Sequence, residues 1–251
     1  MLLTAFLLSL VAWWLATGVV LTLVHLTGAY KFNAFGAISA ITVGAVVLLI
    51  QNVHASTIWD VTLGFFLGLL IWAWLETSYL MGFVTGPNKK PFLAHESEMQ
   101  RFLGGIGTSL YHEISIIAAV VALGYVSNDV RNPIAYHTVL VLWLMRWSTK
   151  LNLFLGSSHF NVGWLPSHLA HTASYARIGK TSPLAVLSIA CCAAATFFLL
   201  AAAHESVELY RKYSLLLITG LAALGTIEHL FLTLPFGEEK LWRWFKRNAP
   251  N

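Results

Sequence analysis

Long apolar runs dominate the chain and are separated by short polar connections. A run of about 20 mainly apolar residues is long enough for a helix to cross the hydrocarbon core of a bilayer. Stretches near this length occur at 2–23, 34–50, 58–84, 108–126, 134–156, 183–203 and 213–235. The pattern predicts an all-α polytopic membrane protein, a bundle of about seven transmembrane helices. We expect one transmembrane domain over 1–251, since no soluble domain or internal repeat interrupts the pattern.

Two features of this pattern affect the helix count. The first run lacks the basic segment of a cleaved signal peptide, so we expect it to remain as the first helix. The second run is the shortest, and the "HASTIW" that follows it leaves room only for a tight turn. If the second and third runs formed one re-entrant unit, the number of spans would change from odd to even.

The composition agrees with a membrane protein. Hydrophobic residues make up 57% of the chain and charged residues 10%, and the mean hydropathy is +0.71. These values lie outside the usual range of soluble domains. The excess of 15 basic over 11 acidic residues indicates helix orientation in such a protein, so we expect the lipid bilayer and no nucleic acid as a partner.

The basic residues of the connections are distributed unequally between the two predicted sides. One side carries Lys31, Lys89, Lys90, Arg101, Arg177, Lys180, Lys240, Arg243, Lys246 and Arg247. The other side carries Arg131, Arg211 and Lys212. Because cytoplasmic loops are enriched in Lys and Arg, we expect a periplasmic N-terminus and a cytoplasmic C-terminus. The connections 85–105 and 157–182 and the basic tail 236–251 are then cytoplasmic.

Charged residues lie inside several of the predicted spans. The segment "LMRWSTKLNLFLGSSHF" places Arg146 and Lys150 one turn apart in the fifth span, and Glu76, Glu113 and Glu228 lie in three others. Each such charge costs about 2.5 to 3.5 kcal/mol at a helix centre, so each needs a partner or a shallow position. Helix direction and the rise per residue place all of them in the cytoplasmic half of the bilayer. We therefore expect them to converge.

The residues leave the purpose of this convergence open. It could be a layer of salt bridges that determines packing and has no chemistry. It could be a metal site, since carboxylates and imidazoles from several helices hold metals in di-iron bundles. The candidate ligands for a metal are Glu76, His112, Glu113, His168, His171, Glu228 and His229. The usual Glu-x-x-His pair is absent, however, and no catalytic signature is recognisable.

Two further possibilities use the same region. Tetrapyrrole or quinone handling would use imidazoles and tryptophans, with His25 and His159 as additional candidates. Proton-coupled transport would use the three acids, but neither inverted repeats nor broken helices are apparent.

Four segments carry a family resemblance. They are "WLETSYLMGFVTGP" (74–87), "LYHEISI" (110–116), "LWLMRWSTKLNLFLG" (142–156) and "LPSHLAHTASYA" (165–176). In order and spacing the chain resembles the PuhE family of photosynthetic complex assembly proteins. The positions that match the family pattern are Glu76, Gly86, Pro87, His112, Glu113, Arg146, Lys150, Asn152, Gly156, Pro166 and His168. The chain departs from the pattern at His171, where the family tends to an aromatic residue, and at "SYA".

The resemblance implies a protein of the bacterial cytoplasmic membrane, inner or intracytoplasmic. It implies an assembly factor for the photosynthetic reaction centre and core light-harvesting complex, which handles bacteriochlorophyll or a precursor or adjusts its supply. Partners would be reaction-centre or antenna polypeptides or other assembly factors. The alternative is a membrane metalloenzyme acting on a tetrapyrrole or another hydrophobic substrate. With the resemblance included, the predicted intramembrane polar cluster is Glu76, His112, Glu113, Arg146, Lys150, Asn152, Glu228 and His229.

Overall fold

The computed structural model describes residues 2–54, 56–159 and 165–235. These residues form α1 Leu2–Val24, α2 Gly28–Asn52, α3 Ile58–Leu80, α4 Glu98–Gly107, α5 Leu110–Val126, α6 Ile134–Leu155, the 3₁₀ segment Ser167–Tyr175, α7 Pro183–Glu205 and α8 Leu209–Thr233. The described part of the chain contains no β-strand. The prediction of an all-α polytopic membrane bundle is confirmed.

Helices occupy each of the seven predicted positions, but they differ in length and apolarity. Five helices, α1, α2, α3, α7 and α8, are long and apolar enough to cross a membrane. A sixth span results if α4 and α5, which meet at a bend of 60°, count as one. The helix that carries Arg146 and Lys150, α6, does not reach the same apolarity. The count of seven spans therefore stays a prediction.

The second and third apolar runs are two full helices and not one re-entrant unit. The first of them, α2, begins at Gly28, well before the predicted start at 34. A capping box starts α3, in which Thr57 Oγ1 accepts from the Asp60 N–H and Asp60 Oδ2 accepts from the Thr57 N–H at 2.9 Å. Such reciprocal caps satisfy the free N–H groups of a first turn. The helix ends at Leu80, short of the predicted 84, because Gly82 turns the chain with a φ of +82°.

The connections 85–105 and 157–182 contain structure that the hydropathy pattern did not predict. The first contains most of α4, which begins at a second capping box between Ser97 and Gln100. The second contains the 3₁₀ segment. Both elements are short and rich in polar residues, so a search for long apolar runs passes over them.

The connections of alternate helix pairs lie at opposite ends of the bundle. At one end the His112 N–H donates to the Thr85 carbonyl at 3.0 Å, and Ser157 Oγ donates to the Leu232 carbonyl at 2.8 Å. This end therefore holds the C-termini of α3, α6 and α8 and the N-terminus of α5. At the opposite end the Asn52 and Asn132 side chains both donate to the Asp60 carbonyl, at 2.8 and 3.0 Å.

We call the first of these the basic end. It holds Lys31 in the first turn of α2, Arg101 in α4, and the connections with Lys89, Lys90, Arg177 and Lys180. Lys240, Arg243, Lys246 and Arg247 of the predicted cytoplasmic tail lie outside the described residues. At the opposite end lie Arg131, in the connection before α6, and Arg211 and Lys212, in the first turn of α8. The alternation of helix direction thus distributes the described basic residues between the two ends of the bundle as the order of the helices predicts.

The central helix of the bundle is α3, which packs against α1, α2, α5, α6 and α8. One buried cluster on its side towards α1 and α8 includes Phe65, Leu217 and Leu221. A second cluster, towards α2, α5 and α6, includes Leu75, Ile116 and Val139. The buried faces of α3 determine where Glu76 points, since Glu76 follows Leu75 directly.

Candidate functional site

Four charged side chains from three helices meet near the basic end. Arg146 Nε on α6 lies 3.3 Å from Glu76 Oε1 on α3 and 3.8 Å from Glu113 Oε1 on α5. Lys150 Nζ, one turn further along α6, contacts Glu113 Oε1 and donates to Ser109 Oγ at 2.7 Å. The exposed fraction of these side chains is 6% for Glu113, 16 to 17% for Arg146 and Glu76, and 29% for Lys150. They form a buried ion cluster.

The position of α5 is set by the chain that follows α3. The His112 N–H donates to the Thr85 carbonyl, which ties the first turn of α5 to the end of α3. Next to this contact, Gly86 lies so close to the corner between α4 and α5 that an added Cβ would stand 2.0 Å from the Gly107 carbonyl oxygen. A glycine is therefore required for Glu113, in the first turn of α5, to reach the two cations. A carboxylate at a helix N-terminus is also stabilised by the helix dipole.

An aromatic side chain completes the cluster. Tyr79 lies one turn after Glu76 on α3, and its ring stacks on the His112 ring with centroids 4.7 Å apart. The Arg146 guanidinium lies over the same tyrosine, 5.1 Å from the ring centroid. Among the described ring contacts, Tyr79 is the aromatic partner of Arg146, and neither Trp143 nor Trp147 of α6 takes this place. His112 Nε2 lies 3.6 Å from Glu76 Oε1, so the imidazole belongs to the cluster.

The third predicted acid, Glu228 on α8, lies beside the cluster with a different partner. Its Oε1 accepts a hydrogen bond from Thr149 Oγ1 on α6 at 3.0 Å. Within the described residues no cation lies within salt-bridge distance of Glu228. The formal surplus of one carboxylate over the two cations is therefore located on α8.

Two predicted members, Asn152 and His229, belong to a separate hydrogen-bond network. His229 is fully buried, and its Nδ1 donates to the Gly225 carbonyl at 2.6 Å while its Nε2 lies 2.8 Å from Ser148 Oγ. Asn152 Nδ2 donates to the Ser148 carbonyl and to Ser188 Oγ, both at 2.9 Å. These bonds join α6, α7 and α8.

The candidate metal ligands are spread over several places. His171 Nε2 lies 3.2 Å from the Asn88 carbonyl oxygen, and His168 lies against Gly82, so both histidines face the chain after α3. Burial, together with the nearby Lys31, lowers the pKa of His168 below its usual value. In the part of the chain that the structure describes, no three His, Cys, Asp or Glu side chains converge in a way that could hold a metal ion.

A cavity of about 430 Å³ adjoins the ion cluster. It is partly open, and most of its surface is apolar, contributed by α1, α3, α4, α6 and the 3₁₀ segment. All five charged residues predicted to lie inside spans line it, namely Glu76, Glu113, Arg146, Lys150 and Glu228. Volumes of 300 to 1,000 Å³ are typical of small-molecule sites. The arrangement is therefore more than a sealed layer of ion pairs.

The two long connections pack on each other and cover the cavity at the basic end. Tyr175 is their common contact, because its hydroxyl donates to the Lys90 carbonyl at 3.0 Å and its own carbonyl accepts from Arg101 Nη1 at 2.7 Å. Glu98 on α4 pairs with Arg101 and with Arg177. The hydrogen bond from Arg101 lowers the pKa of the Glu98 carboxyl below its usual value, and the charge of Arg177 adds to this. We call this unit, residues 85–109 together with 165–182, the cap.

Fold and site together define a polytopic membrane protein with a buried ion cluster that faces a capped cavity. The chain matches the model of the family DUF3623, described as "Protein of unknown function (DUF3623)", over residues 1–251, and it belongs to this family. It is 31% identical over 241 residues to a protein of Rhodobacter capsulatus described as "Uncharacterized 30.4 kDa protein in puhA 5'region". The alignment covers 94% of this chain and 88% of that relative. No solved structure matches the chain.

Sequence reasoning missed several residues that shape the site. Tyr79, Ser109 and Thr149 all line the cavity and contact a member of the cluster or Glu228. Tyrosine, serine and threonine are common in membrane helices and carry no charge, so hydropathy gives no sign of them. Their spacing of one turn from a charged residue, as in Glu76 and Tyr79, was the only available signal.

Proposed function

We propose that this protein is an assembly factor of the photosynthetic apparatus and belongs to the PuhE group of proteins. The observation that carries the proposal is the similarity over nearly the whole chain to a protein from the puhA 5′ region. Because puhA is a photosynthesis gene, a related protein encoded beside it suggests a related role. Under this proposal the chain acts in the bacterial cytoplasmic membrane, with the basic end in the cytoplasm and the opposite end in the periplasm.

The cap is the part of the molecule that best suits a protein partner. It is held together by hydrogen bonds between its two segments, including Asn88 Nδ2 to Tyr175 Oη at 2.7 Å and the Phe92 N–H to Ser174 Oγ at 2.7 Å. Lys90 and Lys180 are exposed on it. A rigid surface with exposed cations costs little conformational entropy on binding and attracts acidic partners. Reaction-centre or antenna polypeptides, or another assembly factor, are the partners we propose.

Bacteriochlorophyll or a precursor is the cofactor that this role involves, either handled directly or adjusted in its supply. No histidine is among the described residues that line the cavity. A chlorin held there would therefore have to bind through its periphery and not through an imidazole on its magnesium. This favours an effect on assembly or pigment supply over stable pigment storage.

Two measurements in a phototrophic host test the proposal. Deletion of the gene should lower the near-infrared absorption of the reaction centre and core antenna, and the wild-type gene should restore it. Cross-linking from the cap at native expression should then capture a polypeptide of these complexes. The double variant Lys90→Glu with Lys180→Glu should lose this cross-link, whereas the matched variant Arg211→Glu, at the opposite end, should keep it. Normal absorption in the deletion strain together with no such cross-link would refute the proposal.

A further inference from the structure

Two side chains that line the cavity carry buried polar atoms whose hydrogen-bonding capacity is not used. Arg146 Nη2 and Trp147 Nε1 are buried and have no hydrogen-bond partner among the described residues. Both side chains line the cavity, and they are neighbours on α6. Buried N–H donors are nearly always paired in native proteins because an unpaired donor keeps its full desolvation cost. Two such donors at one cavity indicate that a ligand supplies the acceptor.

The charges around these donors disfavour an anionic ligand. Arg146 and Lys150 already have Glu76 and Glu113 as partners. Glu228 lines the same cavity and has only Thr149 as a described partner. An anion would add to this excess of carboxylates in a poorly solvated place, where like charges repel strongly. A neutral oxygen acceptor satisfies the two N–H groups without this repulsion.

The apolar part of the cavity surface indicates the chemistry of the rest of the ligand. Leu69, Trp72 and Leu142 line it on the side away from the cap, and Phe102 and Ile106 of α4 line it on the side of the cap. These side chains favour a lipophilic body on either side of the polar group. The cavity thus combines apolar walls with two N–H donors at the level of the ion cluster.

We propose that this cavity binds a neutral, lipophilic carbonyl compound whose carbonyl oxygen accepts hydrogen bonds from Arg146 Nη2 and Trp147 Nε1. The proposal goes beyond the role in assembly and does not depend on it. Within a bilayer, two sources offer this chemistry, namely the ring carbonyl of a membrane quinone and the acyl ester carbonyl of a phospholipid.

The test uses the full chain, purified in detergent and freed of lipid, with decylubiquinone as the probe. A decyl-substituted methoxybenzene without ring carbonyls serves as the comparison ligand and should bind clearly more weakly. Trp147→Phe removes one N–H and keeps an aromatic ring. Loss of one neutral hydrogen bond should weaken decylubiquinone binding by about 2- to 12-fold.

Trp143→Phe is the matched control. Trp143 lies one turn earlier on α6, and its indole N–H is also buried without a described partner, but the residue does not line the cavity. We expect its affinity for decylubiquinone to equal that of the wild type. Equal binding by the Trp147→Phe and Trp143→Phe variants, equal binding of the comparison ligand, or no binding of any carbonyl compound would overturn the proposal.

Competition separates the two sources. Phosphatidylcholine with ester-linked chains and the same lipid with ether-linked chains are each added to the wild-type protein with and without decylubiquinone. If only the ester lipid binds in the cavity, the acyl ester is the ligand; if decylubiquinone binds against both lipids, the quinone is. Either result supports the shared carbonyl chemistry.

A second measurement covers the case in which Trp147→Phe fails to fold. Infrared difference spectra of the wild-type protein with ¹³C-labelled carbonyl ligand report hydrogen bonding directly, since an accepted hydrogen bond lowers the carbonyl stretching frequency. A band shifted to lower frequency relative to the ligand in detergent micelles is expected. An unshifted band overturns the proposal without the use of any variant.

Discussion

Arg146 on α6 and Glu76 on α3 form a buried ion pair, with Nε 3.3 Å from Oε1. The same guanidinium lies 3.8 Å from Glu113 on α5, so one side chain links three helices. Removing one partner of a buried pair leaves the other charge without compensation, which is the costly outcome for such groups. The cluster therefore makes the packing of α3, α5 and α6 sensitive to single substitutions.

Arg146→Leu should destabilise the protein by about 3 to 5 kcal/mol, because it leaves Glu76 and part of Glu113 without a cation. We expect lower steady-state abundance and a lower unfolding temperature in detergent. Arg177→Leu is the matched control, since Arg177 also pairs with a glutamate but is 52% exposed. Exposed pairs contribute about 0 to 1 kcal/mol, so this variant should resemble the wild type. Equal abundance of the two variants would contradict a structural role of the cluster.

Glu113→Gln and Glu228→Gln should differ, although both residues are acids that line the cavity. Glu113 is the carboxylate partner of Lys150, whose side chain is 29% exposed, so the neutralisation of Glu113 leaves a partly buried ammonium and should cost at most about 3 to 5 kcal/mol. Glu228 has no described cation partner, and glutamine can still accept the hydrogen bond from Thr149. We expect Glu228→Gln to change stability by less than about 1 kcal/mol. Thermal unfolding of both proteins in the same detergent gives the comparison.

Gly86→Ala should displace the corner between α4 and α5. The added Cβ would stand 2.0 Å from the Gly107 carbonyl oxygen, a backbone atom that cannot rotate away. Overpacking of this kind costs about 1 to 3 kcal/mol. Gly36→Ala in α2 is the control, since a Cβ there meets nothing within 4 Å. If Gly86→Ala unfolds at the same temperature as Gly36→Ala, the close contact between Gly86 and the Gly107 carbonyl is contradicted.

The orientation in the membrane can be tested with single cysteines in a background that lacks Cys191 and Cys192. Lys90→Cys lies in the cap, and Val207→Cys lies at the opposite end, where Val207 is 97% exposed. If the basic end is cytoplasmic, a membrane-impermeant maleimide added to intact cells with a permeable outer membrane should label only Val207→Cys. Labelling of Lys90→Cys under these conditions would reverse the proposed orientation, while labelling of both in lysed cells is the control for reactivity.

The cap should loosen at acidic pH. Because the pKa of Glu98 is lowered in the folded protein, chiefly by the hydrogen bond from Arg101, its ionic contacts contribute fully above the ordinary glutamate pKa. They are lost as the pH falls from that value through the lowered one. Amide hydrogen exchange over 98–107 should therefore rise across this window. In Glu98→Gln the exchange should already be faster at neutral pH and should lack this pH dependence.

Much of the fold could be predicted from the sequence because membrane helices carry their signal locally. The apolar run at 183–203, for example, predicted α7 Pro183–Glu205 without reference to any other helix. The cap was not predicted, because its elements carry no such local signal. Its element α4 depends on contacts such as the hydrogen bond from Arg101 to the Tyr175 carbonyl, 74 positions away in sequence, and not on a long apolar run.

The sequence by itself determined the class of protein, the presence of charges within long apolar runs, and the end of the bundle near which these charges lie, since hydropathy and helix rise depend only on residue order. Tertiary structure decided which groups pair. It placed Arg146 between Glu76 and Glu113, left Glu228 with Thr149, and moved Asn152 and His229 into a separate hydrogen-bond network. These choices depend on the rotation of each helix about its axis. Packing contacts between distant segments determine that rotation, so it cannot be predicted from the local sequence pattern.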